Sequence, residues 1–336
     1  MSGLLRCGLA AVSLALLPAM AQGAGHTPTG PAGHIVYVGL NGNLFTVRPD
    51  GTHTRALTTD GTGTTPYAEP TWSPNGRGIL AIRFVEGIQA LTSTVAGLWL
   101  VSPSGGARQL TPNVPRGFAW KLDGRTAVYE EGYPPGRTAL AQLDTRSGAR
   151  HTVYCDSAFV LAGVTGIGDR AIGVQGGQIE AVALSSGTAQ ALTHYPAGSG
   201  VWQNVAALTR SGRTVVYAEA PGTTIVSLGL RTGRRTAVRV DGTVQGVAPS
   251  PDLRWVAYAT ATSRGVAESK LLRAGKGAMP LRGDSSITPQ AFAPDSSALV
   301  YTSVYDGPPY VFAATTACPG RCARRLGLGR GAAWGP

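Results

Sequence analysis

The chain has 336 residues, 43% of them hydrophobic, and carries 29 Lys and Arg against 18 Asp and Glu, a formal charge of +11. Apolar content at this level excludes a disordered chain. Charged residues at only 14%, with 47 glycines, fit many short strands joined by tight turns. The basic charge is almost all arginine, since Lys121, Lys270 and Lys276 are the only lysines. The arginines scatter over turns and form one dense run, Arg321 to Arg325, so no nucleic-acid partner is expected.

Residues 1–21 have the plan of a cleavable signal peptide. Arg6 supplies a positive start, an apolar run extends from Cys7 to Ala19, and Ala19-Met20-Ala21 is a small-x-small cleavage site. The run is short for a membrane span and is broken by Pro18. Cys7 precedes the apolar run and so is not placed as a lipoprotein cysteine. Residues 22–32 form a polar tether, and residues 33–336 are expected to be a single domain. The expected protein is exported, periplasmic or secreted, and monomeric, with no membrane span after signal cleavage.

Period-2 alternation begins at His34. His34–Val38, Asn43–Val47 and Thr54–Thr58 are predicted strands, and Glu69–Trp72 opens the next unit. The stretch Trp72-Ser73-Pro74-Asn75-Gly76-Arg77-Gly78-Ile79 is a strand end, a tight turn and a second apolar strand. Pro74 presets φ and Gly76 tolerates positive φ, as a short reversal requires. The pattern returns at Trp120–Tyr129, Leu208–Tyr217, Pro249–Tyr258 and Phe292–Tyr301, with a degraded copy at Val164–Gly173. The steps are about 41 to 48 residues, the spacing of propeller blades. Seven positions align: 72, 120, 164, 208, 249, 292 and 334. The strand before Trp334 then supplies the member missing before His34. The predicted fold is all-β, a seven-bladed β-propeller closed by pairing of the C-terminal strand with the N-terminal blade, with six blades as the alternative.

These residues resemble a known repeat. Trp-Ser-Pro-Asn-Gly with its apolar strand, Leu44-Phe-Thr-Val-Arg-Pro-Asp-Gly51 and Arg55-Ala-Leu-Thr58 are similar to the PD40 repeat of the TolB-type (WD40-like) β-propellers. The resemblance covers essentially the whole of residues 33–336 without the N-terminal α/β domain of TolB. It implies that the tight turns share one face and the longer connections the other. On that loop-rich face fall Tyr67, Glu69, Arg83, Glu86, Glu130, Tyr133, Tyr195, Trp202, Gln203, Arg264, Tyr305, Asp306 and Tyr310. Aromatics mixed with both charges suit contact with a protein or glycan.

Catalytic sets are missing from the sequence. His26, His34, His53, His151 and His194 are isolated, without ligand spacing. There is no Gly-x-Ser-x-Gly elbow and no phosphate loop. Glu130 and Glu131 are neighbours on a strand and point to opposite faces, so they are no carboxylate pair. No catalytic residue, metal or cofactor is expected. The expected partner is an envelope or extracellular protein or peptide, with an acidic polysaccharide as a second class. An enzyme resembling the oligogalacturonate lyases, propellers that use a metal and a His-rich channel, is the alternative. Cys318 and Cys322 enclose three residues and are read as a disulfide across a hairpin; Cys155 is left over and expected to be buried and inert.

Overall fold

In the computed structural model the described residues are 33–85, 95–112, 115–133, 137–156, 159–166, 169–261, 267–281, 287–303 and 308–336. The predicted signal peptide and tether lie outside them. The described residues form strands and turns only. Five sheets have four antiparallel strands each and begin with Tyr67–Trp72, Pro115–Trp120, Val160–Val164, Val201–Leu208 and Thr243–Pro249. A sixth sheet has seven strands, in the order Ile287–Phe292, Ala298–Ser303, Tyr310–Thr315, Arg324–Trp334, Ile35–Gly39, Leu44–Val47 and Arg55–Ala56. The arrangement is that of a β-propeller.

The repeated turn explains why each sheet starts as it does. At its first copy the Ser73 amide donates to the Gly78 carbonyl at 2.8 Å and the Gly76 amide to the Ser73 carbonyl at 2.9 Å. Gly76 has φ of 69°. The same bonds recur at Lys121–Thr126, Thr209–Thr214, Ser250–Trp255 and Ala293–Ala298. The last two copies hold Leu253 and Ser296 at φ of 59° and 63° in the place of glycine. Turn geometry therefore survives the loss of its usual residue because the flanking ladder imposes it.

Apolar faces of neighbouring sheets pack on one another. Tyr129, Tyr217, Tyr258 and Tyr301, the tyrosines of the repeat, are among the largest fully buried side chains. The strand Arg324–Trp334 joins the two ends of the chain. Its first half pairs with Tyr310–Thr315, Val311 lying opposite Gly327. Its second half pairs with Ile35–Gly39, Ile35 opposite Trp334 and Val36 opposite Ala333. Trp334 is buried in a cluster with Ile35, Tyr37, Val47 and Val300.

Two cysteine expectations change. Cys318 and Cys322 are bonded, with Cα atoms 5.3 Å apart. They lie in a turn beyond the strand pair rather than across it, the Cys322 amide donating to the Cys318 carbonyl at 3.0 Å. Cys155 is exposed, not buried. It stands on Arg150–Asp156, the outermost strand of its sheet, which has no neighbour to cover that position.

Candidate binding site

Because every strand pairing is antiparallel, the turns after first and third strands share one face and the longer connections the other. The first strands surround an axial cavity of about 410 Å³. Its lining includes Trp72, Trp120, Val164, Leu208, Pro249, Phe292 and Trp334, the seven positions aligned by sequence, together with the turn residues Pro74, Leu122, Arg210 and Pro251. The cavity therefore lies toward the tight-turn end of the axis.

Toward the loop-rich end, each of these strands breaks register with its neighbour. The breaks fall between Ala68 and Thr71, Pro115 and Phe118, Leu161 and Gly163, and Val201 and Ala206. They recur between Val244 and Gly246 and between Pro289 and Ala291. On the closing strand the residue passed over is Gly331. An extra residue leaves a ladder group unpaired and re-aims a side chain, which is why bulges gather at binding sites. Glu69 and Gln203 occupy these breaks with φ of 51° and 46°, and Gly331 with 54°. Glu69, Gln203 and Gln245 are exposed. Glu69 is open to solvent, yet the protein crowded about it pushes its carboxyl above the ordinary carboxylate range by desolvation.

The structure sorts the sequence candidates. Glu69 and Gln203 belong to the ring of register breaks, and Trp202 adjoins it. The Trp202 indole nitrogen is buried without a hydrogen-bond partner among the described residues. Tyr67 and Arg83 are cross-strand partners inside one sheet. The Arg83 guanidinium lies 5.4 Å from the Tyr67 ring and 5.1 Å from the Trp99 ring, and pairs with Asp60 at 2.6 Å. That is a strut, and Tyr67 is fully buried in it. Glu130 is buried and accepts the amide of Leu161, the residue at the next sheet's register break. It satisfies a donor that the bulge frees, so its role is structural. Tyr195 bonds the Tyr217 hydroxyl at 2.7 Å, and Arg325 covers the Tyr310 ring at 4.7 Å. Tyr133 ends the strand Thr126–Tyr133 opposite Arg137. Glu86, Arg264, Tyr305 and Asp306 lie outside the described residues. Gln245 was missed in the sequence, because its only signal is a register break that one strand alone does not reveal.

The register breaks offer exposed amide and carboxylate side chains toward the loop-rich end of the first strands. Among the described residues no three of His, Cys, Asp and Glu come together as metal ligands. His34, His53, His151 and His194 are all exposed, and none lines the axial cavity.

No family model matches the sequence, and no curated protein is significantly similar to it. Solved structures share its fold. TolB from Acinetobacter baumannii superimposes with a TM-score of 0.55 at 15% identity, over 90% of this chain and 67% of that one. An oligogalacturonate lyase from Vibrio parahaemolyticus gives 0.66 at 13%, over 83% and 85%. An oligogalacturonate lyase in complex with manganese gives 0.64 at 11%, over 81% and 82%. The chain thus has a β-propeller fold, which it shares with TolB and with the oligogalacturonate lyases. At these identities the likeness speaks for the fold alone.

Proposed function

We propose that the protein is an exported propeller of seven blades that binds a protein or peptide partner in the cell envelope at the loop-rich mouth of its axis, without catalysis of its own. The observation that carries this reading is the ring of register breaks, which holds Glu69 and Gln203 in a backbone conformation unfavourable to both. Strain of this kind clusters at functional sites, and at two exposed side chains of one ring it supports a binding surface. Exposed amides around an opening suit the backbone groups of an extended peptide, and the rigid sheets beneath limit the ordering cost of binding. Seven blades are supported by the seven aligned positions around one cavity. The strand Arg324–Trp334, shared by two four-stranded halves of the larger sheet, supports the same count. The lyase alternative draws no support from the donor set, since a His-rich channel is not what the described strands present.

The test compares wild-type protein with a Glu69→Gly, Gln203→Gly, Gln245→Ala variant in pull-downs from envelope extract. Glycine removes two of the side chains without disturbing positive φ. One discrete protein retained by wild type at moderate salt and lost by a variant with unchanged melting is expected. Equal recovery by both overturns the site. Metal-dependent release of an unsaturated uronate from oligogalacturonate by the wild type overturns the non-enzymatic reading.

A further inference from the structure

On the opposite, tight-turn face, a groove of about 570 Å³ runs between the sheets that begin with Val160–Val164 and Val201–Leu208. Arg170, Arg213 and Arg231 line it, and no acidic residue does. Leu192 and Leu230, half-buried over Ile172 and Ala181, give it an apolar side. On neighbouring turns Arg125 pairs with Asp144 at 2.5 Å and Lys121 with Asp169. The side chains of Arg170, Arg213 and Arg231 have no hydrogen bond or ion pair among the described residues.

The backbone sets these three along one groove. The turns of the two sheets touch, and a Cβ on Gly212 would lie 2.1 Å from the Gly166 nitrogen. Only glycine permits that approach, and it sets Arg213 beside the turn that carries Arg170. The Leu230 amide donates to the Arg213 carbonyl at 2.9 Å, which ties the Arg231 turn to the same place. Three like charges gathered without an anion repel one another, and a shared oxyanion relieves this. Guanidinium forks match the geometry of a planar carboxylate. The volume exceeds what an inorganic ion fills and is within the range of small-molecule sites.

We propose that this groove binds a small amphiphilic carboxylate, its head held by Arg170, Arg213 and Arg231 and its apolar body against Leu192 and Leu230. The site stands apart from the partner-binding face, so either reading can fail alone. Decanoate is the probe, with decanol standing in for its apolar half and inorganic phosphate for its anionic half, titrated calorimetrically into the full chain at low salt. Decanoate should bind saturably and at least about tenfold more tightly than either half, because both the charge and the apolar contact contribute. An Arg213→Gln, Arg231→Gln variant should lose about tenfold or more. An Arg77→Gln, Arg239→Gln variant, with the same charge removed at exposed positions outside the groove, should bind as wild type. The groove substitutions are on exposed side chains, and unchanged melting verifies the fold. Decanoate binding indifferent to the groove variant, equal loss in both variants, phosphate binding as tight as decanoate, or no saturable binding would each overturn the proposal.

Discussion

Glu69 and Gln203 bear the backbone cost of the register breaks, since φ near 50° is unfavourable for residues with a Cβ. The closing strand makes the same bend with Gly331. Glu69→Gly and Gln203→Gly should therefore each leave the fold as stable or raise it by up to about 1 kcal/mol, measured by urea unfolding. The sign of the pH effect at Glu69 follows from its raised pKa. A carboxyl easier to keep protonated in the folded state favours folding below its unfolded value, and that advantage is lost as pH rises through the folded value. The gain from Glu69→Gly should thus be larger at pH 7 than at pH 3. A marked loss of stability at neutral pH would show that Glu69 braces the fold instead. Tyr67, Arg83 and Glu130 teach the complementary lesson. Their place on the loop-rich side was readable from strand order, but their burial depends on Trp99, Asp60 and Leu161, which the repeat pattern does not connect to them.

The turns are the elements that respond to acid. Asp144 accepts the amides of Arg146 and Ser147 at 2.9 Å each, and Asp50 accepts the Thr52 hydroxyl at 2.6 Å. The Ser147 amide, then Arg125, hold Asp144 well below the usual carboxylate range, and the Thr52 hydroxyl and amide lower Asp50. At Asp123 and Asp252 desolvation works the other way, and hydrogen bonds from the turn outweigh it. Folded values below the unfolded value of about 3.9 mean that this stabilisation is complete above that pH. It is lost as pH falls through the folded values. Melting temperature should hold between about pH 7 and pH 5, then drop progressively toward pH 2. Asp144→Asn should make that drop shallower, as scanned by thermal melts across the range. A melting temperature unchanged down to pH 2 would remove the turns from the account.

At the scale of the whole molecule, closure rests on the strand Arg324–Trp334. Its second half supplies the neighbour of Ile35–Gly39, and Trp334 is buried with residues from both ends of the chain. Deleting residues 331–336 removes that tryptophan and opens a sheet edge. The loss should be on the order of 5 kcal/mol or more, since a buried large aromatic alone is worth about 3–5 kcal/mol. Urea unfolding of the truncated and full chains gives the comparison, and coincident curves would rule out closure by this strand.

The amino-acid sequence by itself determined the repeat, the strands, the turn type, the disulfide pair and the return of the last strand to the first. All of these are set by period-2 alternation, by turn chemistry within a few residues, or by a motif that recurs. Only the tertiary structure decided that the seven aligned positions line one axial cavity, that Gln245 shares a ring of register breaks with Glu69 and Gln203, and that Cys155 is exposed. It alone placed Arg170, Arg213 and Arg231 in one groove. The reason is physical: these meetings join residues from different sheets or strands, and the position of one sheet against another is set by packing across the ring rather than by any local pattern.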